Sequence, residues 1–330
     1  MEAFKFGDLQ YERPDIELLL KSYDQFVDRI KEAKCYDDVK AVLKESEDLV
    51  VNLSTMSTIA YIRNTLNTTD EFYEKEVEFF NNSMPVLDDK VIEMNKQILA
   101  SPFTEDLNKE YGKQLLVNMQ LEVDSFKPEL IPFMQEESML TMKYQKLMAT
   151  AKIPFDNKEL NLYGIQKYFE HPDRKVRKNA FKAYSDFYHD NEEELEAIFA
   201  RLVEVRNNMG KSLGYDNFIP LGYKNQGRTD YGEKEVAAFR EQVRTEIVPL
   251  CQKLYEAQAK RIGVDNFKVY DETFIYPDGN AQPAGDDEYM VNEARKMYHD
   301  MSKETGEFID FMIEHDLMDL KNKPNKASTG

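Results

Sequence analysis

The chain has 330 residues, of which 42% are hydrophobic and 32% are charged, a composition typical of a folded globular protein rather than a disordered one. It carries 43 Lys and Arg against 62 Asp and Glu, and the resulting net charge of −19 argues against binding to nucleic acid, which needs a basic surface. With only 13 Gly and 12 Pro, the sequence favours long helices over a β fold with many turns.

The first part of the chain predicts a series of long helices. Apolar residues recur at three- and four-residue steps over 16–30 and again over 39–53, the pattern of a helix with one buried face. Asp70 is placed to cap a third helix. Helical patterns also fit 105–123 and 128–150. An elongated helical lobe is therefore predicted.

A short extended strip interrupts this helical pattern. Residues 152–162 predict a first β patch, with Asp156 and Asn157 at its centre in the position of a hairpin turn. A domain boundary is expected close after it, so that residues 1–165 form the N-terminal lobe and residues 166–330 form a second domain.

Helices are again predicted in the second domain. One begins at Asp173 and extends as far as Leu213, either continuously or with one break near Asn191. Another begins with Asp230 as its capping residue and bends at Pro249. Residues 268–276 predict a second β patch. The predicted fold class is therefore mainly α and multi-helical, with two small β patches.

The histidines are natural candidates for metal ligands, but their spacing does not fit a paired site on one helix. No two of them are four residues apart, and each is followed by Pro or Asp, so the zinc motif H-E-x-x-H is absent. The four are His171, His189, His299 and His315. His315 continues an apolar stripe that includes Phe311, which favours a packed histidine over a ligand. We therefore predict no catalytic residue and no metal ligand in this sequence.

The sequence also gives no sign of export or of membrane insertion. The segment from Met1 to Asp8 lacks the basic and apolar regions of a secretory signal, and there is no run of about 18 apolar residues that could span a membrane. Cys35 and Cys251 are far apart and form no paired motif, which favours a reducing compartment. A cytoplasmic protein that binds neither membrane nor nucleic acid is predicted.

One group of residues, Tyr223, Arg228, Asp230 and Tyr231, has two interpretations. In the structural one, Asp230 caps the next helix and Arg228 pairs with a nearby carboxylate. In the functional one, Tyr223, Arg228 and Tyr231 form a substrate-binding group that holds the backbone or a carboxylate of a peptide, for which a planar guanidinium is well suited.

Several segments, in this order, resemble the M3 family of zinc oligopeptidases and its oligoendopeptidase F branch in particular. They are Lys152–Asp156, Asp173–Arg177, Tyr223–Tyr231, Tyr270–Asn280 and Thr305–Phe308. The resemblance implies a helical N-terminal lobe followed by the first part of a zincin-like peptidase domain, which acts on internal bonds of short peptides. It also implies that the full-length family member binds zinc through H-E-x-x-H and a downstream Glu, positions that this sequence does not contain.

Three functions remain open at this point. The chain is the N-terminal portion of such a peptidase and is inactive alone, or it is a non-catalytic protein that binds peptides or a partner, or it is a helical scaffold. The end of the sequence at Ser328-Thr329-Gly330, before the expected motif, favours the first. An incomplete peptidase domain is also expected to expose apolar surface over residues 215–320 and to self-associate.

Overall fold

The fold is known from a computed structural model that describes residues 4–327, and it is mainly helical. Residues 328–330, which supported the expectation about the end of the sequence, lie outside the described part. The helices of the first half are α1 (Ile16–Glu32), α2 (Tyr36–Leu66), α3 (Glu71–Ala100), α4 (Thr104–Tyr111), α5 (Lys113–Asp124) and α6 (Ile131–Ala149). Those of the second half are α7 (Leu162–Gln166), α8 (Arg174–Asp190), α9 (Glu192–Ser212), α10 (Ile219–Asn225), α11 (Glu233–Gln242), α12 (Val248–Ile262), α13 (Asp287–Met301) and α14 (Lys303–Glu314). None of the helices within 4–327 combines the length and the apolar character that a membrane span requires.

Helices α1, α2 and α3 pack around an apolar core that also receives side chains from α4 and α5. The carboxylates of Asp15 and Asp70 accept hydrogen bonds from backbone N–H groups in the first turns of α1 and α3, and so cap both helices. Tyr23, Val39 and Ile98 are buried in this core. The predicted apolar stripes and the predicted cap of the third helix are confirmed.

A two-stranded antiparallel hairpin lies between α6 and α7. Its strands are β1 (Ile153–Phe155) and β2 (Lys158–Leu160), and the first residue of β1 lies opposite the last residue of β2. Asp156 and Asn157 form the turn with φ of 51° and 55°. Two consecutive positive φ values are those of a type I′ turn, whose twist matches that of the strands. The predicted β patch at 152–162 is confirmed.

The second predicted β patch, at 268–276, is wrong. Val269–Asp271 form one turn of 3-10 helix, and the Asp271 carboxylate accepts a hydrogen bond of 3.0 Å from the backbone N–H of Lys268. The side-chain amide of Gln258 donates to the carbonyls of residues 271, 272 and 274. These side-chain hydrogen bonds satisfy backbone groups that would otherwise need a neighbouring strand, so the segment forms a compact loop.

Of the two alternatives for the helix after Asp173, the structure has the broken one, and the predicted irregularity at Pro249 is present. Asn191 separates α8 from α9, and the π-helical turn Val243–Ile247 separates α11 from α12 just before Pro249. Proline has no N–H for the carbonyl four residues earlier, and its ring crowds that carbonyl, so a wider turn relieves the conflict.

The last four helices bury much less apolar surface than the first three. Phe239 on α11 is exposed, and so are Leu250 and Leu254 on α12. On α13, Met297 is exposed and Met301 is 71% exposed. The apolar exposure expected over residues 215–320 is therefore observed among the described residues.

Both ends of the described chain are fastened to other elements. The rings of Phe4 and His315 stack with centroids 4.3 Å apart, and the His315 Nδ1 donates to the Phe4 carbonyl. Near the other end, the N–H of Ala327 donates to the Thr65 carbonyl of α2 at 2.8 Å. His315 is a packed residue at the end of α14, as predicted.

Candidate functional site

The backbone at the end of α10 brings two of the candidate residues together. Gly227 has a φ of +64°, its N–H donates to the Lys224 carbonyl at 2.9 Å, and the N–H of Arg228 donates to the Tyr223 carbonyl at 3.4 Å. This pair of hydrogen bonds is the Schellman motif, in which a left-handed glycine ends a helix. The chain therefore folds back on itself, and Arg228 lies beside Tyr223.

The guanidinium of Arg228 contacts the aromatic rings of both tyrosines. Its Cζ atom lies 4.7 Å from the ring centroid of Tyr223 and 5.5 Å from that of Tyr231, within the range of cation–π attraction. Arg228 and Tyr223 are half-buried, whereas Tyr231 is 49% exposed. The structure thus places the three predicted substrate-binding residues in one group that solvent can reach.

The structural interpretation of these residues is not what the structure shows. Among residues 4–327, no Asp or Glu forms an ion pair with Arg228. Asp230 does not cap α11 either, since Gly232 is the capping residue and its N–H donates to the Glu235 carboxylate at 2.9 Å. The helix begins later than predicted because Glu235, three residues after Gly232, supplies the carboxylate that completes the cap.

The turn that carries Arg228 lies beside α5. The side-chain amide of Gln114 donates to the Thr229 hydroxyl at 3.4 Å, and Lys224 Nζ lies 3.9 Å from the Asp124 carboxylate. Residues from both halves of the sequence therefore border the site, which no local pattern predicted.

The most deeply buried ionic group of the described chain was not predicted from the sequence. Asp271 is 0% exposed and Arg177 is 2% exposed, and Arg177 Nη2 lies 3.0 Å from Asp271 Oδ1. Arg174 pairs with the other carboxylate oxygen at 2.8 Å. Burial acts to raise the pKa of Asp271, but hydrogen bonds from Arg174 and Arg177 outweigh it and hold that pKa below its ordinary value.

This buried ionic group fastens a loop to a helix. The Arg177 guanidinium also donates to the backbone carbonyls of His171, Pro172 and Tyr270. Since all its partners are internal, the group positions the 268–274 loop against α8 and does not offer a free charge to a ligand. The partners are 94 residues apart in sequence, so no spacing rule could have paired them.

Two sequence-family profiles match this helical chain. The profile of the Peptidase M3 N-terminal domain matches residues 6–126, and that of Peptidase family M3 matches residues 167–294. The chain belongs to the M3 peptidase family. A comparison of the sequence with curated proteins gives no match.

Solved structures agree with this assignment. PZ peptidase A, solved with an inhibitor, is 42% identical with a TM-score of 0.97, and the match covers 99% of this chain and 58% of that one. A protein assigned as an oligoendopeptidase F is 40% identical with a TM-score of 0.97, and the match covers 98% of this chain and 57% of that one. An oligoendopeptidase F assigned in Bacillus anthracis str. Ames is 38% identical with a TM-score of 0.96. The match covers 99% of this chain and 60% of that one. The chain thus spans less than two thirds of the length of these proteins.

M3 peptidases are in general zinc-dependent, but the described residues do not fit a zinc ion by themselves. Within 4–327, no three His, Cys, Asp or Glu side chains are grouped so that they could hold a metal. Each imidazole has a separate contact: His171 with the Asp173 N–H, His189 with Glu192, His299 with Asp310, and His315 with the Phe4 carbonyl. No catalytic step through zinc is therefore assigned to these residues.

Proposed function

We propose that this chain forms the N-terminal helical lobe (residues 1–165) and the first portion of the peptidase domain (residues 166–330) of a zinc metallo-oligopeptidase that hydrolyses internal bonds of short peptides. The observation that carries the proposal is the 42% identity to PZ peptidase A at a TM-score of 0.97 over 99% of the chain, which includes both portions. The chain by itself is proposed to be inactive, because its sequence lacks the H-E-x-x-H ligands and general base.

Within this function, Tyr223, Arg228 and Tyr231 are proposed to bind the peptide. The accessible guanidinium has no ion pair among the described residues, and the two rings offer apolar surface beside it. This combination of one charged group with aromatic surface suits a ligand that is part apolar and part polar, as a peptide is.

The proposal is tested with the purified chain, a quenched fluorescent peptide and added zinc. We expect the chain to bind the peptide, measured by fluorescence anisotropy, without hydrolysing it. Hydrolysis that a chelator stops would contradict the proposed inactivity. Failure to bind any unstructured short peptide would contradict the proposed binding site.

The exposed apolar faces of α11, α12 and α13 predict self-association of the chain when it is studied alone. Leu254 is 61% exposed on α12, and exposed apolar side chains of this kind favour association in water. Replacing Leu254 by Gln should raise the fraction of monomer in sedimentation velocity. Replacing its exposed polar neighbour Lys253 by Gln serves as the control and should not do so. A wild-type chain that stays monomeric at high concentration would contradict the prediction.

A further inference from the structure

We infer that Arg228 binds the C-terminal carboxylate of a peptide, so that the site recognises peptides by their free C-terminal end. This inference rests on the proposed function, since it names the part of the peptide that the same site holds.

The first argument is the state of the Arg228 guanidinium. It is permanently charged and half-buried, and it makes no side-chain hydrogen bond or ion pair within residues 4–327. The guanidinium contacts the π faces of Tyr223 and Tyr231, and such contacts leave the N–H groups at its edge free to donate. A partly desolvated cation is stabilised by an anion, and a planar carboxylate can accept two parallel N–H···O bonds from it.

The second argument concerns the kind of anion. The chain has a net charge of −19, so an extended polyanion is repelled, whereas a single carboxylate can still be held by a local guanidinium. The ring of Tyr231 is 49% exposed beside the guanidinium and can pack against the last side chain of the peptide.

The third argument is that the site is held in place by the backbone. The left-handed Gly227 and the hydrogen bond from the Arg228 N–H to the Tyr223 carbonyl fix the turn, and the contact of Thr229 with Gln114 fixes it against α5. Less conformational entropy is therefore lost when the carboxylate binds than for an arginine on a mobile loop.

A carboxylate can come from the C-terminus or from an Asp or Glu side chain, so the test uses three labelled peptides. They share one sequence without internal acids and end in a free carboxylate, in an amide, or in an added glutamate whose own C-terminus is an amide. Binding is measured by fluorescence anisotropy to the wild-type chain and to Arg228→Gln, Arg228→Lys and Arg240→Gln. Arg240 is an exposed arginine on α11 and controls for the loss of one positive charge.

We expect the free carboxylate to bind the wild type at least about tenfold more tightly than either amide, as a charge-assisted hydrogen bond would provide. Arg228→Gln should remove this difference, Arg228→Lys should keep part of it, and Arg240→Gln should preserve it. Circular dichroism of each variant checks that the fold is intact.

Other results overturn the inference in distinguishable ways. If the amide binds the wild type as tightly as the free acid and Arg228→Gln weakens both, the carboxylate assignment is wrong but the proposed peptide site stands. If the glutamate peptide binds as tightly as the free acid, the site also binds side-chain carboxylates, and the inferred recognition of the C-terminal end is wrong. If Arg228→Gln changes neither peptide, both the inference and the proposed location of the peptide site are wrong.

Discussion

Replacing Arg177 by Ala should lower the free energy of unfolding by about 3–5 kcal/mol, the usual cost of removing one partner from a buried ion pair. The substitution leaves Asp271, which is 0% exposed, with Arg174 as its remaining ionic partner. It also removes the donor of three backbone carbonyls in the segments 171–172 and 270. His171 and Pro172 are exposed, so water can replace the lost donor at their carbonyls, and most of the loss of stability comes from Asp271.

This prediction is checked by urea unfolding followed by far-UV circular dichroism. Lys178→Ala is the matched control, since Lys178 follows Arg177 directly but is exposed, and it should change stability by less than about 0.5 kcal/mol. Arg177→Lys keeps the charge but cannot reproduce the planar fork of donors, so it should recover only part of the loss. A loss below about 1 kcal/mol for Arg177→Ala would show that Arg174 alone compensates Asp271.

Replacing Asp88 by Asn should stabilise the protein at neutral pH. Burial, with the nearby charge of Glu122 adding to it, raises the pKa of Asp88 from 3.8 to about 6. Glu122 itself has a raised pKa, chiefly because of burial, although it accepts a hydrogen bond of 2.9 Å from Asn95. Asp88 lies on α3 and Glu122 on α5. The buried Tyr23 of α1 also has a raised pKa, chiefly because of burial, and the charge of Asp88 adds to that rise.

The pH dependence of this effect follows from the direction of the shift. The folded state binds the Asp88 proton more tightly than the unfolded chain, so the protonated carboxyl favours folding. That contribution is complete below pH 3.8 and is lost as the pH rises through about 6. The loss amounts to about 3 kcal/mol at most, for a shift of roughly two pKa units.

The measurement compares the wild type, Asp88→Asn and the control Glu47→Gln, an exposed carboxylate on α2, in urea at a series of pH values. The advantage of Asp88→Asn over the wild type should be small near pH 4 and should grow up to about pH 7, as the wild-type carboxyl ionises. The control should show no such trend. An advantage that does not change with pH would mean that Asp88 is solvated in the folded state.

The residues of the candidate site were singled out from the sequence, but the segment before Gly227 was expected to be a loop, and the short helix α10 that brings Tyr223 and Arg228 together was not predicted. Tyr223 and Arg228 are five residues apart with Gly227 between them, and a helix that ends at a left-handed glycine brings just these two positions together. The cap of α11 was misplaced by two residues because Asp230 and Gly232 each precede a glutamate at the same spacing. Local pattern could not choose between them. Nor could it show that Arg228 forms no ion pair with an Asp or Glu of residues 4–327, because that depends on every segment packed nearby.

By itself, the sequence determined the features that depend on neighbouring residues. Apolar stripes gave the long helices, Asp156 and Asn157 gave the hairpin turn, and the order of several short segments indicated the M3 family that the comparisons confirm. Only the tertiary structure decided which polar groups are buried and with what partners. Three such contacts join separate segments of the chain. They are the ion pair of Arg177 with Asp271, the proximity of Asp88 to Glu122, and the hydrogen bonds from Gln258 to the 268–274 loop. The free energy of a charge depends on its burial and its partners, and both are set only when the chain has packed.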